Sequence, residues 1–172
     1  MSQREIIPYE EVFRALNKAK VNYLVCGGTA VVLLGFARLT IDLDLIISLE
    51  KENLEKLYNV LMKLNYKTTI PIKKEEFIQK ERLFELVGEK NMKVVSFYNS
   101  KDPLKVIDIG VNLPKIDEIL KKKRYTRVGS LSIPIISIDD LIKMKKDLAR
   151  KQDLIDVENL KKIKQYEKRN KQ

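Results

Sequence analysis

Two short motifs near the N-terminus combine residue types that bind phosphate and metal ions. Gly27-Gly28-Thr29 follows a short apolar run, and Asp42-Leu43-Asp44 begins fourteen residues after Gly28. Glycines after a strand let backbone N–H groups approach an anion closely, and a helix that begins there adds its positive end. The first motif therefore indicates a phosphate-binding turn, while an ordinary tight turn is the alternative for a Gly-Gly pair taken alone.

The two aspartates of the second motif indicate a cation site. Asp42 and Asp44 are two residues apart on a predicted strand, so their side chains project from the same face. Two carboxylates on one face repel each other unless a cation lies between them. Mg²⁺ prefers carboxylates together with substrate phosphates, and Mn²⁺ is an alternative cation. A solvated strand face would explain Asp-x-Asp alone, but the glycine motif at this spacing favours a site.

A third carboxylate lies in a later apolar run. Asp108 is enclosed by Val106-Ile107 and Ile109-Gly110, and an acidic residue in such a strand should be buried or paired. If Asp108 faces the first two aspartates, it completes a two-metal site and accepts a proton from an attacking hydroxyl. The alternative is an edge-strand aspartate that is bonded to a neighbouring lysine.

Another group of charged residues lies near the C-terminus. Lys145 is followed by Arg150, Asp153 and Asp156, and on one continuous helix the last three would share a face. A functional interpretation places Lys145 near the phosphates of a nucleotide. An ion-paired surface is the structural alternative.

The distribution of charge indicates a polyanionic partner. The chain has 34 basic and 24 acidic residues, and residues 101–172 alone contain 19 basic and 11 acidic residues. A basic surface attracts nucleic acid through phosphate contacts and the release of counterions. A generally lysine-rich composition is the alternative explanation. We expect four consecutive basic residues to be solvated and to contact an RNA acceptor, namely Lys121, Lys122, Lys123 and Arg124.

The composition excludes several classes of site. No histidine is present, which excludes Ser-His-Asp triads, histidine–zinc sites and histidine general bases. The single cysteine, Cys26, excludes an internal disulfide framework, and we expect it to be a buried packing residue. No apolar run reaches the roughly 18 residues that span a bilayer, and the first residues lack a signal-peptide core. We therefore expect a cytoplasmic protein without membrane contact.

These residues must be positioned by an α/β (α+β) fold, in which helices flank a mixed β-sheet. Apolar residues at intervals of three or four predict helices, and alternating apolar residues predict strands. The predicted strands cover 21–26, 41–47, 67–70, 94–98, 105–111, 125–128 and 131–133. The predicted helices cover 8–19, 30–34, 49–64, 75–83, 116–123, 138–150 and 153–168, with Thr29 and Ser137 as N-caps. We expect one domain over 1–172, with a helical part over about 137–172.

The segments from Leu24 to Ala30 and from Gly35 to Leu45 resemble the nucleotidyltransferase superfamily, which has a DNA-polymerase-β-like catalytic fold. More closely, they resemble its minimal and AbiEii-like bacterial branch, which includes nucleotidyltransferase toxins. In that branch a Gly-Gly or Gly-Ser turn is followed by Arg-x-Thr-x-Asp-x-Asp, a pattern that the residues from Arg38 to Asp44 match. Asp108 falls where a strand supplies the family's third carboxylate, and residues 140–156 are similar to the branch's C-terminal Lys/Arg/Asp motif.

The resemblance implies Mg²⁺-dependent transfer of a nucleoside monophosphate from an NTP to an acceptor hydroxyl. Asp42, Asp44 and Asp108 would be the catalytic and metal-binding residues. The residues that would bind the nucleotide are Gly27, Gly28, Thr29, Arg38, Lys145 and Arg150. The acceptor would be RNA, tRNA or protein, and an antitoxin would be the protein partner if the chain belongs to a toxin–antitoxin pair. Two alternatives keep the same fold: a non-catalytic nucleic-acid-binding module, and an antitoxin or other regulatory module.

Overall fold

A computed structural model describes residues 7–89 and 93–170, and the first six residues, which entered the signal-peptide expectation, lie outside this description. The described residues form eight helices: α1 Glu10–Lys18, α2 Gly27–Leu33, α3 Lys51–Lys63, α4 Lys74–Phe77, α5 Lys80–Glu89, α6 Ile116–Lys121, α7 Ile138–Leu148 and α8 Lys151–Arg169. They also form seven strands: β1 Tyr23–Val25, β2 Leu43–Ile47, β3 Tyr66–Thr68, β4 Val94–Asn99, β5 Val106–Gly110, β6 Arg124–Val128 and β7 Leu131–Ile135. In this part of the chain, none of the helices combines the length and the apolar character that a bilayer crossing requires.

All seven described strands belong to one mixed sheet in the order β3-β4-β5-β2-β1-β7-β6. Two neighbouring pairs are parallel, β2 with β5 and β1 with β7, and the remaining neighbours are antiparallel. A mixed sheet with helices packed against it confirms the predicted fold class. The single domain over 1–172 stays a prediction, which the continuous sheet and its shared apolar core support.

The centre of the sheet is apolar at consecutive positions. β2 occupies the fourth of the seven positions. A strand that is covered on both faces needs apolar residues throughout rather than a strict alternation. The buried residues of β2 are Leu43, Leu45, Ile46 and Ile47. Asp44, the second residue of this strand, is the exception, because it is only partly buried.

The segment before α1 connects the N-terminal part of the chain to the two central parallel strands. Tyr9 precedes the helix and places its hydroxyl between the beginnings of β2 and β5. This hydroxyl donates to the Ile41 carbonyl at 2.6 Å and accepts from the Val106 N–H at 3.1 Å. The helix itself is anchored by residues that recur at helical spacing and are buried, namely Val12, Phe13 and Leu16.

Two predicted helix boundaries in the first half of the chain are wrong. The helix expected after a Thr29 cap begins at Gly27, because Cys26 is the extended residue that precedes it. The Thr29 hydroxyl instead donates to the Asp42 carbonyl at 3.1 Å. The segment over 75–83 forms two helices rather than one, since the short α4 turns Phe77 into the core.

The predicted helix boundaries near the C-terminus are right at one end and wrong at the other. Ser137 caps α7 as expected, because its Oγ accepts from the Asp140 N–H at 3.1 Å. The helix ends at Leu148 rather than at Arg150, since Ala149 adopts left-handed backbone with φ of 52°. Arg150 becomes the N-cap residue of α8. The two helices are separate, as predicted, but the expected end of the first at about Arg150 is wrong.

We expect Tyr9→Phe to destabilise the fold by about 1–2 kcal/mol, because the Ile41 carbonyl before β2 and the Val106 N–H of β5 lose a partner. Urea unfolding followed by circular dichroism measures this loss. Tyr125→Phe is the matched control, since Tyr125 is 63% exposed. Equal stabilities of wild type and Tyr9→Phe would contradict the assigned role.

Candidate active site

The strand register brings Asp44 and Asp108 side by side. β2 and β5 are parallel neighbours, and Asp44 is the register partner of Asp108. Paired residues of neighbouring strands project to the same face of a sheet, so the two carboxylates are adjacent. The alternative of an edge-strand position for Asp108 is wrong, because β5 lies between β2 and β4.

Ser96 extends this polar row onto β4. It is the register partner of Asp108, and its hydroxyl donates to Oδ1 of that carboxylate at 2.5 Å. Sequence reasoning missed Ser96. The signal that places it is the alternation of β4, since its neighbours Val95 and Phe97 are buried and Ser96 must face the other side. Ser96 therefore fixes the orientation of the Asp108 carboxylate.

The glycine turn lies directly against Asp44. Gly27 has left-handed backbone with φ of +61°, and a Cβ at this position would lie 1.9 Å from Oδ2 of Asp44. Other residues rarely adopt that backbone and would collide with the carboxylate, so glycine is required. The Gly28 N–H donates to the Asp44 carboxylate, and the Cys26 N–H donates to the Asp44 carbonyl at 2.9 Å. The structure thus brings the glycine motif and Asp44 together.

Asp42 lies at the rim of the same site. It precedes β2 and is exposed, and its carbonyl accepts the hydrogen bond from Thr29. Burial raises the pKa of the Asp42 carboxyl, and the charge of Asp108 raises it further. The charges of Asp42 and Asp108 therefore act on each other across the site.

Burial and repulsion raise the pKa of Asp44 to about 6. Burial is the largest cause, and the charges of Asp108 and Asp42 follow in that order. The Gly28 N–H and the charge of Lys145 act in the opposite direction but do not offset these causes. A carboxylate whose ionisation is opposed by its neighbours is stabilised by a bound cation.

The donor set fits a hard divalent cation. Asp42, Asp44 and Asp108 all offer carboxylate oxygens, which Mg²⁺ prefers, and a cation would relieve the repulsion between them. Across residues 7–89 and 93–170, no three side chains of His, Cys, Asp or Glu are arranged as a preformed metal site. The metal-binding and catalytic roles of the three aspartates stay predictions.

A buried cluster of opposite charges lies close to these carboxylates. Lys145 Nζ is 2.7 Å from Oδ2 of Asp156 and 3.3 Å from Oδ1 of Asp153. All three residues are at most 3% exposed, so the cluster is ion-paired, as in the structural alternative, but it is buried rather than on the surface. The charge of Lys145 acts on Asp44. The contact of Lys145 with a nucleotide stays a prediction.

Two arginines complete this cluster from outside. Arg38 Nη1 donates to Oδ2 of Asp156, and Arg150 Nε donates to Oδ2 of Asp153 at 2.6 Å. Burial raises the pKa of Asp153, but hydrogen bonds from Arg150 and Lys145 and their charges outweigh it, so the pKa is below its ordinary value. The side chains of Arg38 and Arg150 are 20% and 71% exposed, respectively. Both arginine side chains are therefore partly open to solvent.

The basic run over 121–124 is not uniformly solvated, which corrects the prediction. Lys123 Nζ donates to Oδ1 of Asn22 at 2.8 Å. Arg124 begins β6 and pairs with Glu167 on α8 at 2.6 Å. Contacts with distant parts of the chain therefore hold the second half of the run. The exposed members are Lys121 and Lys122.

Cys26 is buried, as its position at the end of an apolar strand predicts. Burial raises the pKa of its thiol well above the ordinary value, and the charge of Asp44 raises it further. A thiol that stays protonated is a poor nucleophile. Its observed role is packing beneath the glycine turn.

Comparisons with known proteins give matches among solved structures. No protein-family model matches the chain. The comparison with curated proteins gives no match either. The lincosamide antibiotic adenylyltransferase LnuA, solved with lincomycin bound, is similar to the chain with a TM-score of 0.59 and 18% identity, over 89% of this chain and 94% of that one.

Two further structures show the same likeness. A Thermotoga maritima protein that carries the provisional name of nucleotidyltransferase matches with a TM-score of 0.54 and 14% identity, over 93% of this chain and 90% of that one. An antigenic nucleotidyltransferase-like protein from Paracoccidioides brasiliensis matches with a TM-score of 0.55 and 14% identity, over 87% of this chain and 72% of that one. At these identities the likeness establishes the fold and not the activity.

We expect Asp44→Asn to stabilise the metal-free protein at pH 7.5 by up to about 3 kcal/mol. The folded-state pKa of about 6 lies above the ordinary value of 3.8, so ionisation of Asp44 opposes folding. This penalty is absent below the ordinary pKa and complete above the folded-state pKa. The stability gap between variant and wild type should therefore close as the pH falls from about 6 to about 4.

Thermal melts in EDTA across this pH range measure the gap. Asp147→Asn is the control, because Asp147 is an exposed carboxylate on α7 and its substitution should change the stability little. A lower melting temperature for Asp44→Asn at pH 7.5 would show instead that the carboxylate supports the fold.

Proposed function

We propose that this chain, which has the nucleotidyltransferase fold, is an enzyme that transfers a nucleoside monophosphate from an NTP to an acceptor hydroxyl. The observation that supports this most is the pairing of Asp44 with Asp108 beside a glycine turn that closely approaches Asp44. A triphosphate with a divalent cation needs such oxygen ligands and such close backbone approach. Because this chemistry depends on positioning and charge neutralisation, it requires no histidine.

The nucleotide would bind at the glycine turn. Gly27, Gly28 and Thr29 would lie beneath its phosphates, and Arg38 would contribute positive charge beside them. Its guanidinium lies over the turn, since a Cβ at Gly28 would be 3.1 Å from Cζ of Arg38. Mg²⁺ held by Asp42, Asp44 and Asp108 would neutralise charge on the phosphates and the departing pyrophosphate.

Asp108 would accept the proton of the acceptor. The Ser96 hydroxyl occupies Oδ1 of Asp108 at 2.5 Å, which orients the carboxylate and leaves Oδ2 for the attacking hydroxyl. The acceptor oxygen would bond to the α-phosphorus as the bond to pyrophosphate breaks. Asp44, whose carboxylate the Gly28 N–H holds, would keep the acceptor hydroxyl and the α-phosphate of the nucleotide on one face of the sheet.

The acceptor is proposed to be RNA, tRNA or protein. The 19 basic and 11 acidic residues of the segment 101–172 support a polyanion, as do the exposed side chains of Lys121 and Lys122. The name of LnuA describes adenylyl transfer to an antibiotic, so a small hydroxylated molecule is a further acceptor to test. The AbiEii-like branch, the toxin–antitoxin role and the antitoxin partner stay predictions.

We expect the wild-type protein to label an acceptor when it is incubated with Mg²⁺ and one of four α-³²P-labelled NTPs. Total RNA, a cell lysate and small-molecule extracts serve as separate acceptor mixtures. Asp44→Asn and Asp108→Asn should each lower the rate by about 10²-fold or more, because each removes charge that positions and activates the reactants. Gel and thin-layer separation measure the label.

The expected stability of Asp44→Asn makes this test specific. Asp44→Asn should remain folded, so its loss of activity would not come from unfolding. Asp147→Asn, which changes an exposed carboxylate, should transfer at the wild-type rate. Nucleotide binding by the wild type without any transfer would favour the non-catalytic alternative.

We expect charge reversal of Lys121 and Lys122 to weaken RNA binding without a change in nucleotide binding. The slope of log K against log salt should fall by roughly one unit for every RNA phosphate that the variant no longer binds. Filter binding at several salt concentrations measures this slope. Charge reversal of Lys143 and Lys146, two exposed lysines on α7, changes the net charge by the same amount and is the control. Equal effects of the two changes would indicate that net charge alone attracts the RNA.

A further inference from the structure

We propose that Asp156 is a positioning residue that aims the Arg38 guanidinium at the triphosphate of the bound nucleotide. The inference rests on the proposed function for the identity of the ligand. It gives the buried cluster on α7 and α8 a task in nucleotide binding, although none of its three buried side chains needs to touch the nucleotide.

The segment that carries Arg38 folds back onto the glycine turn. A Cβ at Gly28 would lie 2.6 Å from Oγ1 of Thr40 and 3.1 Å from Cζ of Arg38. Because Gly28 has no side chain, there is room for Arg38 and Thr40, which lie in the segment between α2 and β2. Arg38 reaches the same turn whose backbone holds Asp44.

One side of the Arg38 guanidinium is anchored inside the protein. Nη1 donates to Oδ2 of Asp156, which lies 118 residues later and is 1% exposed, and Nε donates to the Leu39 carbonyl at 3.3 Å. A guanidinium carries five N–H donors in a planar fork. With Arg38 partly exposed, the donors that Asp156 and Leu39 do not engage are available to a phosphate at the turn.

The negative charge of Asp156 is what allows Arg38 to occupy this position. Oδ2 of Asp156 also lies 2.7 Å from Nζ of Lys145, so two cations share one carboxylate oxygen. Without that charge, Lys145 and Arg38 would repel each other at short range. Arg38, which lies on a partly exposed segment, would be the one to move, because Lys145 is still held by Asp153.

Asp153 supplies a matched control within the same cluster. It lies one helical turn before Asp156 on α8, is also 1% exposed and is also paired with Lys145. Its arginine partner, however, is Arg150 rather than Arg38. Asp153→Asn and Asp156→Asn change the net charge equally and at nearly the same place. A comparison of the two therefore removes any effect of long-range attraction for the anion.

The experiment measures the binding of inorganic triphosphate and of each NTP to the full-length chain by calorimetry in the presence of Mg²⁺. Asp156→Asn should bind triphosphate roughly tenfold more weakly than Asp153→Asn, the size expected when one charge-assisted hydrogen bond is misplaced. In an Arg38→Gln background, Asp156→Asn should cause no further weakening. If transfer occurs, Asp156→Asn should raise KM for the NTP more than it lowers kcat.

Two results would overturn the proposal: equal weakening by the two asparagine variants, or the same weakening by Asp156→Asn with and without Arg38. Absence of triphosphate binding by the wild type would also overturn it. If Asp156→Asn does not fold, Arg38→Lys replaces it, because lysine keeps the charge but cannot span Asp156 and a phosphate. Unchanged triphosphate affinity of Arg38→Lys would then reject the proposal.

The same measurements separate this proposal from the proposed function. If triphosphate binding shows the expected dependence on Asp156 and Arg38 but no acceptor is labelled, the transfer activity is wrong and the positioning role stands. If an acceptor is labelled while the two asparagine variants behave alike, the activity stands and the positioning role is wrong.

Discussion

The repulsion between Asp44 and Asp108 is the constraint on which the centre of this molecule depends. Two like charges occupy paired positions on neighbouring strands in the most apolar part of the sheet. The surrounding contacts each offset part of this repulsion: the Ser96 hydroxyl on Asp108, and the Gly28 N–H and the charge of Lys145 on Asp44. They leave the pKa of Asp44 raised, so the fold keeps a carboxylate pair that only a cation fully stabilises.

The charged cluster on α7 and α8 has an excess of positive charge, whereas the three aspartates have an excess of negative charge. Asp153 and Asp156 face three cations, Lys145, Arg38 and Arg150. The cluster therefore has one more positive charge than negative charges. Burial is tolerated there because every carboxylate is paired. The excess positive charge lies next to the excess negative charge of the three aspartates. A ligand that carries both phosphates and a divalent cation would match this division.

The sequence was sufficient for features that depend on local chemistry. The glycine pair, the strand that carries Asp44 and the Ser137 cap each follow from residue types at short spacing, and the structure shows the glycine turn and Asp44 in contact. Local spacing does not predict that Asp44 and Asp108 are neighbours, because the parallel pairing of β2 with β5 joins segments that are far apart in the chain. The resemblance to a known family supplied that step rather than the periodicity.

Other features could not be predicted because long-range contacts override local preference. Thr29 has the residue type of a helix cap, but the carbonyl of Asp42 accepts its hydroxyl instead. The pair of Arg38 and Asp156 spans 118 residues, and no spacing rule connects its members.

The parallel pairing of β2 with β5 also has a consequence for the order in which the chain folds. α3, β3, α4, α5 and β4 all lie between the two strands in the chain, so Asp44 leaves the ribosome well before its neighbour exists. Asp44 acquires its charged neighbour only when β5 pairs with β2, and that pairing is opposed by the approaching charge of Asp108. The Tyr9 hydroxyl gains its bond to Val106 in the same event. Tyr9, which precedes both strands in the chain, thus helps to join them.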